Sequence, residues 1–400
     1  MQWFYRIYHF ILKCIVIVIG LPNPKLHQGK AGLETAINAL QLTNGTSVLL
    51  VTDRVLIQLG IPNLVIEALK NVKLNVVIFD DVEPNPTLDN VEKGLACYHL
   101  NQCQAIISVG GGSVMDCAKF IGARVVKPNK SLSELKGLFK VLKHLPPNIA
   151  IPTTAGTGSE TTVAAVINDP KNKLKYAATD FALVPHHAVL LSELTVSLPS
   201  HITATTAIDA LTHAIEALLS INALRYSDEH ALQACQLIFD NLPLALNSPS
   251  NLDARANLLL ASHLAGRAFT RTSVGYVHAL SHQLSARYGT PHGLANAVLL
   301  LPVLNWYGEA IYPVLAKIAL YCKLTQPTRT QTEQAKALIQ HIETMLINAH
   351  IPKQLSGINS LEIEDLAKSA LNEAHPDYPV PIFMNLTDCQ NLFISITTRA

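Results

Sequence analysis

The chain has 400 residues, of which 49% are hydrophobic, which is enough for two sizeable domains that each bury a core. Its 30 basic and 29 acidic side chains leave a net charge near +1, which excludes a strongly charged surface for nucleic acid or an acidic membrane and favours a small molecule as partner. The seven cysteines form no C-x-x-C pair, which favours reduced thiols in a cytoplasmic protein.

The first twenty residues are apolar and aromatic, but Arg6, His9 and Lys13 interrupt them. The unbroken apolar run, residues 14–19, is far shorter than the roughly 20 residues that span a bilayer. We expect a short amphipathic helix that packs on the body of the protein or on a neighbouring subunit. The alternative is a membrane-surface anchor.

From Thr46 onward, short β-rich runs alternate with helical ones. Strands are predicted at residues 47–52, 74–79 and 105–109, the first of them buried. Helices are predicted at residues 55–69 and 88–100. This alternation predicts a parallel sheet covered on both faces. Because ligands of such folds bind at the carboxyl ends of the strands, the loops that follow the strands are candidate binding loops.

Two of these loops have the composition of phosphate-binding turns. The third strand runs into Gly110-Gly-Gly-Ser113, where glycines allow close backbone approach and Ser113 can cap the next helix, so that free N–H groups face a pyrophosphate. The loop of residues 152–160 adds two glycines and four hydroxyls, which suit phosphate and ribose. These hydroxyls belong to Thr153, Thr154, Thr157 and Ser159. Each loop can also be a turn without a ligand.

Two charged residues are candidate partners of the same nucleotide. Asp53 ends the first strand, where a carboxylate can accept hydrogen bonds from an adenosine ribose and would repel a 2′-phosphate, so it favours NAD over NADP. It can also cap the helix that follows, and both roles are compatible. Lys175 is a candidate cation near the phosphates or the substrate, with a solvated lysine as the alternative.

The second half of the chain has a different sequence pattern: it contains Ala- and Leu-rich helical segments and no predicted strands. These segments cover residues 202–219, 227–246 and 252–268. We place a domain boundary near residue 200. The predicted fold is an α/β dinucleotide-binding domain with a parallel sheet over residues 1–200, with an apolar extension at 1–22, and an all-helical metal-binding domain over residues 201–400.

Histidines and one aspartate recur at helical spacing in this second half. Asp209 and His213 are four residues apart, so they lie on one helix face. His278 and His282 repeat that spacing, and the Gly-Thr-Pro sequence before His292 starts a new helix with that histidine in its first turn. Taken singly, each histidine also fits an ordinary core or surface position.

As a set, one carboxylate and three neutral imidazoles suit a divalent first-row metal. Such an ion is a Lewis acid that would polarise the oxygen of an alcohol or aldehyde and stabilise an alkoxide while hydride leaves the adjacent carbon. The spacing alone leaves both a metal site and a chance arrangement open.

Seven motifs along nearly the whole chain carry a family resemblance. They are Gly29-Lys-Ala-Gly32, Val51-Thr-Asp53, Glu83-Pro-Asn-Pro-Thr87, Gly110-Gly-Gly-Ser113 with Asp116 and Lys119, residues 152–160, residues 208–216 and residues 278–302. Together they resemble the iron-containing (group III) alcohol dehydrogenase family. The resemblance implies an NAD(P)-dependent oxidoreductase with a dinucleotide-binding amino-terminal domain and an all-helical carboxy-terminal domain.

The resemblance also implies roles for individual residues. The ligand positions of the family pattern fall on Asp209, His213, His278 and His292, and the implied metal is Fe²⁺, with Zn²⁺ as the alternative. His282 matches a family histidine near the nicotinamide, and we expect it to relay a proton between the metal-bound oxygen and solvent. The positions that match cofactor-binding ones are Asp53, Asn85, Gly112, Ser113, Asp116, Thr153, Thr154, Thr157, Ser159, Lys175 and Leu194.

The expected activity is NAD-dependent, iron-dependent interconversion of a primary alcohol and its aldehyde, with hydride transfer from a metal-bound alkoxide. The alternative is a glycerol-type polyol dehydrogenase that uses zinc. A related lyase acting on a sugar phosphate is disfavoured because the metal segments offer only Arg287 as a phosphate partner, and a non-catalytic subunit has no need of intact ligand motifs. We expect a cytoplasmic homodimer or larger homo-oligomer that binds neither nucleic acid nor membrane.

Overall fold

The computed structural model describes residues 2–169 and 174–398. The chain forms two compact units. The sheet unit is Leu21–Ser197, and the helical unit combines Met1–Gly20 with Leu198–Ala400. The first twenty residues therefore belong with the helices, whereas the sequence analysis assigned them to the α/β domain.

The first helix, α1 (Gln2–Ile19), packs on the helical unit through its cationic side chains. Arg6 donates to the carbonyl oxygens of Val380 and Pro381 at 2.6 and 2.7 Å, and Lys13 donates to those of Ile221 and Ala223. The opposite face is apolar and exposed, with Trp3 at 69% and Phe10 at 66% exposure. These contacts explain the grouping of α1, since its polar groups are bonded to residues far along the chain.

The sheet unit contains a six-stranded parallel sheet, as predicted. Its strands follow the order β1, β9, β6, β4, β2, β3. A second sheet joins β5, β8 and β7, of which β7 and β8 are antiparallel. The bounds are β1 Lys25–Gln28, β2 Ser47–Val51, β3 Asn75–Phe79, β4 Ala105–Gly110, β5 Gly137–Leu138, β6 Asn148–Pro152, β7 Ala164–Asp169, β8 Leu174–Thr179 and β9 His187–Leu190. The central strand β4 is buried along its whole length, as expected when both faces are covered.

The described part of the sheet unit contains five α-helices. They are α2 Gly29–Ala39, α3 Arg54–Gln58, α4 Asn63–Asn71, α5 Leu88–Leu100 and α6 Gly112–Val126. The helix predicted over 88–100 is confirmed, but the single helix predicted over 55–69 is wrong. That stretch divides into α3 and α4 because Gly60 adopts a left-handed conformation (φ 69°) and Pro62 follows it.

The remaining helices form the helical unit together with α1. They are α7 Ser200–Leu219, α8 Arg225–Asn247, α9 Leu252–Thr272, α10 Tyr276–Tyr288, α11 His292–Tyr307, α12 Tyr312–Tyr321, α13 Gln331–Asn348, α14 Ile363–Ala374 and α15 Leu386–Ser395. The all-helical prediction is confirmed, and α7, α8 and α9 begin and end within a few residues of the predicted segments. Helix α7 is buried over nearly all of its last three turns, which makes it the centre of this unit.

One described stretch, His292–Tyr321, is long and apolar enough to cross a membrane by length and composition alone. Its most apolar part is 44% buried inside the protein. A core helix of a globular protein has the same properties, and Leu299 and Leu300 of this stretch are fully buried.

Candidate metal and cofactor sites

Three helices of the helical unit bring an aspartate and two histidines together. Asp209 lies on α7, His278 on α10 and His292 at the start of α11. One ligand atom from each lies within 4.8 Å of the other two. Asp209 Oδ1 is 3.7 Å from His278 Nε2 and 3.5 Å from His292 Nε2. With metal–ligand bonds of about 2.1 Å, ligands of a single tetrahedral ion are separated by similar distances.

His213, the fourth predicted ligand, lies beside this group. Its ring centroid is 4.4 Å from that of His278, and on its other side it stacks on Phe269 at 4.2 Å. It is buried, one turn after Asp209 on α7, as the four-residue spacing predicts. The structure thus groups three predicted ligands closely and places the fourth against one of them.

The charges of the group favour cation binding. Burial alone would raise the pKa of Asp209, but the neighbouring His213 and His278 hold it well below its ordinary value, so the carboxylate is ionised. Burial, together with the neighbouring histidines His282, His278 and His213, lowers the pKa of His292 well below its ordinary value. Its imidazole is therefore neutral and keeps a lone pair for a metal.

Asn296 lies one turn after His292, and its side-chain nitrogen lies near all three candidate ligand atoms. Its Nδ2 is 2.6 Å from Asp209 Oδ1, 3.2 Å from His278 Nε2 and 3.1 Å from His292 Nε2. One donor nitrogen is therefore close to all three ligand atoms, and a cation would satisfy the same three atoms. The donor set of one carboxylate and two or three imidazoles fits a divalent first-row metal.

Glu216 has a role that the sequence analysis did not assign. It is buried on α7, and its carboxylate accepts hydrogen bonds from His278 Nδ1 at 2.6 Å and from the backbone N–H groups of Gly275 and Val277. Glu216 and Asp209 outweigh burial and raise the pKa of His278 to about 9, so an ion that binds Nε2 must displace a proton from the ring. A carboxylate on Nδ1 directs Nε2 toward the metal position. The seven-residue spacing from Asp209 was the available signal, since it places both carboxylates on one helix face.

His282 lies one turn after His278 on α10 and is outside the ligand group. Its ring stacks on that of His292 with the centroids 5.2 Å apart. Nδ1 of His282 is 2.5 Å from Glu373 Oε1, a carboxylate on α14 that the sequence analysis also missed. No local pattern could have found it, because the two residues are 91 positions apart.

In the sheet unit, the candidate cofactor residues follow neighbouring strands. Asp53 follows β2, Gly112 lies two residues after the end of β4 and Thr153 follows β6, and these three strands are adjacent and parallel. Their loops therefore meet at one edge of the sheet, where the fold predicts a nucleotide. Asp53 caps α3 by accepting from the N–H of Leu56 at 2.9 Å, which confirms the capping prediction.

The glycine loop after β4 differs in one detail from the prediction. Ser113 does not cap α6, because Gly111 is the N-cap residue and Ser113 already lies in the first turn. The Ser113 hydroxyl instead accepts from the backbone N–H of Asn85 at 3.3 Å. Gly112 lies so close to Thr157 that a Cβ at this position would be 2.9 Å from a methyl carbon of that side chain.

The hydroxyl-rich loop after β6 is fixed to α6 by Asp116 and by the buried Lys119. Asp116 accepts from the Ser159 hydroxyl at 2.7 Å and from the N–H of Val166 at 3.0 Å. Lys119 donates to the carbonyl oxygens of Ser159 and Ala164 at 2.7 and 2.8 Å. Asp116 and Ser159, both predicted cofactor residues, thus bond to each other.

The other predicted cofactor residues occupy separate positions. The backbone N–H of Thr153 donates to Gly110, and Thr154 lies beside Gly111. Leu194 is buried in a short turn after β9. Lys175 lies on β8, but its side chain is outside the described part of the chain.

A parallel sheet with glycine and hydroxyl loops and a helical unit with an aspartate–histidine group are typical of a metal-dependent enzyme that binds a nucleotide. Comparison with known protein families assigns the chain to one of them. The sequence model of the family described as "Iron-containing alcohol dehydrogenase" matches residues 23–191. The model described as "Fe-containing alcohol dehydrogenase family, C-terminal" matches residues 203–396. The chain belongs to the iron-containing alcohol dehydrogenase family, as the sequence motifs predicted. The match does not favour the zinc-dependent glycerol-type alternative.

Individual relatives agree with this assignment. The 1,3-propanediol dehydrogenase of Klebsiella pneumoniae is 38% identical over 339 residues, which cover 84% of this chain and 87% of the relative. The NAD-dependent methanol dehydrogenase of Bacillus methanolicus is 33% identical, over 86% of this chain and 91% of the relative. A crystal structure of 1,3-propanediol oxidoreductase superposes with a TM-score of 0.89 at 34% identity, covering 94% of this chain and 98% of that one.

Proposed function

We propose that this chain is an NAD-dependent, iron-dependent alcohol dehydrogenase that interconverts a primary alcohol and its aldehyde. The observation that carries the proposal is the convergence of Asp209, His278 and His292 on one point, in a member of an alcohol dehydrogenase family. His213, which lies against His278, is the proposed fourth ligand. A bound ferrous ion would act as a Lewis acid on the substrate oxygen and so favour the loss of its proton and of hydride from the neighbouring carbon.

The protein's own residues orient these groups and move the proton. Glu216 and the buried surroundings fix the ring of His278, so the donor set is organised before the metal binds. His282 is half-buried, with Nδ1 bonded to Glu373, which leaves Nε2 as its remaining exchangeable position. We infer that His282 passes the hydroxyl proton of the alcohol toward solvent.

The proposed cofactor is NAD. Asp53 follows β2 and carries a negative charge that would repel the 2′-phosphate of NADP. The loops around Gly112, Thr154 and Thr157 provide close backbone approach and hydroxyls for the pyrophosphate and riboses. The name of the Bacillus methanolicus relative supports the same cofactor.

The proposed substrates are small primary alcohols and the corresponding aldehydes, including short diols, because the relatives are named for methanol and 1,3-propanediol. We also propose a homodimer or larger assembly that acts in the cytoplasm. The seven cysteines, all of which are free thiols, suit a reducing compartment.

The test combines metal content with activity. Protein purified without oxygen is analysed for metal and then assayed for NAD-linked oxidation of methanol, ethanol, 1-propanol and 1,3-propanediol, before and after chelation. About one iron per chain, with activity lost on chelation and restored by Fe²⁺, is the expected result. Turnover that survives complete metal removal, or a purified protein that neither retains metal nor oxidises any of the alcohols, would contradict the proposal.

A further inference from the structure

The carboxylate of Glu373 accepts hydrogen bonds from His282 and from other side chains outside its own helix, α14. Three side chains donate to it: His282 Nδ1 at 2.5 Å, the Tyr378 hydroxyl at 2.7 Å and Gln283 Nε2 at 2.8 Å. Two of these donors, His282 and Gln283, are neighbours on α10, whereas Glu373 lies on α14. The carboxylate thus links the helix that carries the candidate proton relay to a different part of the unit.

The electrostatics of helix α14 disfavour a negative charge on Glu373. Glu373 is the second-last residue of α14, and an anion in the last turn of a helix lies near the negative end of the helix dipole. Burial would also raise the pKa of Glu373, yet contacts with His282, Tyr378 and Gln283 hold it below its ordinary value. The ionised carboxylate is therefore stabilised by its three donors and not by its place in the helix.

An anion on Nδ1 determines how His282 can act. It keeps the proton on Nδ1, fixes the plane of the ring and leaves Nε2 free to exchange a proton elsewhere. The Tyr378 hydroxyl keeps its own proton, since burial and the Glu373 carboxylate raise the pKa of Tyr378 well above its ordinary value. Tyr378 therefore remains a donor that restrains the carboxylate.

The chain around Tyr378 is held by helix α1. His9 bonds through Nε2 to the carbonyl oxygen of Pro376, and the Tyr8 hydroxyl donates to Asp377 at 3.1 Å. Arg6 bonds to the carbonyl oxygens of Val380 and Pro381, on the other side of Tyr378 in the sequence. Its guanidinium also lies 4.3 Å above the ring of Phe383. The family match begins at residue 23, so these anchors are outside it.

We propose that Glu373 is a positioning residue that orients His282, and that α1 stabilises this arrangement by holding the segment 376–383, from which Tyr378 bonds to the carboxylate. The proposal rests on the proposed function, in which His282 relays the proton. It adds a role for a helix that lies outside the family match.

The first test replaces Glu373 by glutamine in the metal-loaded enzyme. Glu373→Gln should lower kcat for primary alcohols about 10- to 100-fold, with metal content and the KM for NAD unchanged. Glu364→Gln, on the exposed face of the same helix, is the matched control and should leave kcat unchanged. If Glu373→Gln does not fold, Tyr378→Phe removes only one donor and should lower kcat several-fold.

A double-mutant cycle distinguishes an effect of Glu373 on the orientation of His282 from a general loss of enzyme structure. Because Glu373 acts through His282, the double variant His282→Ala/Glu373→Gln should be no slower than His282→Ala. An additional loss of the same size as in the wild-type background would overturn the proposal.

Crystal structures of the variants give a readout that does not need activity. The His282 ring should leave its present orientation in Glu373→Gln and keep it in Glu364→Gln. An unchanged ring in Glu373→Gln would overturn the proposal even if the enzyme proved to have another substrate. If the wild-type protein oxidises no alcohol but the ring still reorients, the proposed function fails and the positioning role stands.

The role of α1 is tested by Arg6→Met, which removes the bonds to Val380 and Pro381 at similar side-chain length. It should lower kcat several-fold with metal content unchanged, and it should have no further effect in the His282→Ala background. Phe10→Gln, on the exposed face of α1, is the control and should behave as wild type. A wild-type kcat in Arg6→Met, or an equal loss without His282, would overturn the role of α1.

Discussion

Gly293 lies directly against the backbone of Thr205, so that a Cβ at position 293 would be 2.6 Å from the Thr205 carbonyl oxygen. Thr205 is on α7 and Gly293 is in the first turn of α11. These two helices carry Asp209 and His292, so the close approach fixes the separation of two candidate metal ligands.

Gly293→Ala should therefore both destabilise the protein and weaken metal binding. Because the added methyl group meets backbone rather than a flexible side chain, α11 must move, and overpacking of this kind costs about 1–3 kcal/mol. Thermal unfolding and metal titration of the purified variant check the two effects. Unchanged values for both would show that the helices can separate without disturbing the ligands.

Glu216→Gln should weaken metal binding without a large loss of helical structure. The neutral glutamine oxygen accepts a weaker hydrogen bond from His278 than the carboxylate does, so the imidazole is oriented less firmly and about 10- to 100-fold lower metal affinity is expected. Competition with a metal-binding dye measures the affinity. Glu309→Gln, an exposed replacement of the same type, should bind metal like the wild type.

Asp53→Ser should shift the cofactor preference from NAD toward NADP. Serine retains the ability to cap α3 but has no charge to repel a 2′-phosphate, so the ratio of kcat/KM values for NAD and NADP should fall by about tenfold or more. Similar melting temperatures of variant and wild type would show that the cap is preserved. An unchanged ratio of the kcat/KM values for NAD and NADP would show that Asp53 does not contact the adenosine ribose.

The histidine pair His27 and His187 should make stability depend on pH. Nε2 of His27 on β1 lies 3.0 Å from Nδ1 of His187 on β9. Burial, followed by the effects of His27 and His186, lowers the pKa of His187 to about 4. An unfolded histidine has a pKa near 6.5, so the unfolded state binds more protons as the pH falls from about 6.5 to 4, and stability is lost in that window.

Replacement of His187 by glutamine should make this decline shallower. After allowance for solvent screening, the wild type should lose on the order of 1 kcal/mol more than His187→Gln between pH 7 and pH 5. Denaturant unfolding at several pH values measures the difference. Parallel pH curves for the two proteins would contradict the assignment.

Local sequence patterns predicted much of the fold and of the ligand group. The four-residue spacing of Asp209 and His213 is visible in one helix, and alternating segments identified β2, β3, β4 and α5. The division of the stretch 55–69 was missed because the helical pattern outweighed Gly60 and Pro62. Glu373 could not be found in this way, since its contact with His282 depends on how α14 packs on α10.

Helix α1 also has a consequence for how the chain folds during synthesis. Arg6 is made 374 residues before Val380, to which it bonds, and at the usual rates of translation this is an interval of roughly 20 to 75 s. Throughout that time Arg6 lacks the carbonyl oxygens of Val380 and Pro381 to which it finally bonds. Helix α1 can therefore complete its native contacts only after the segment 376–383 has been synthesised.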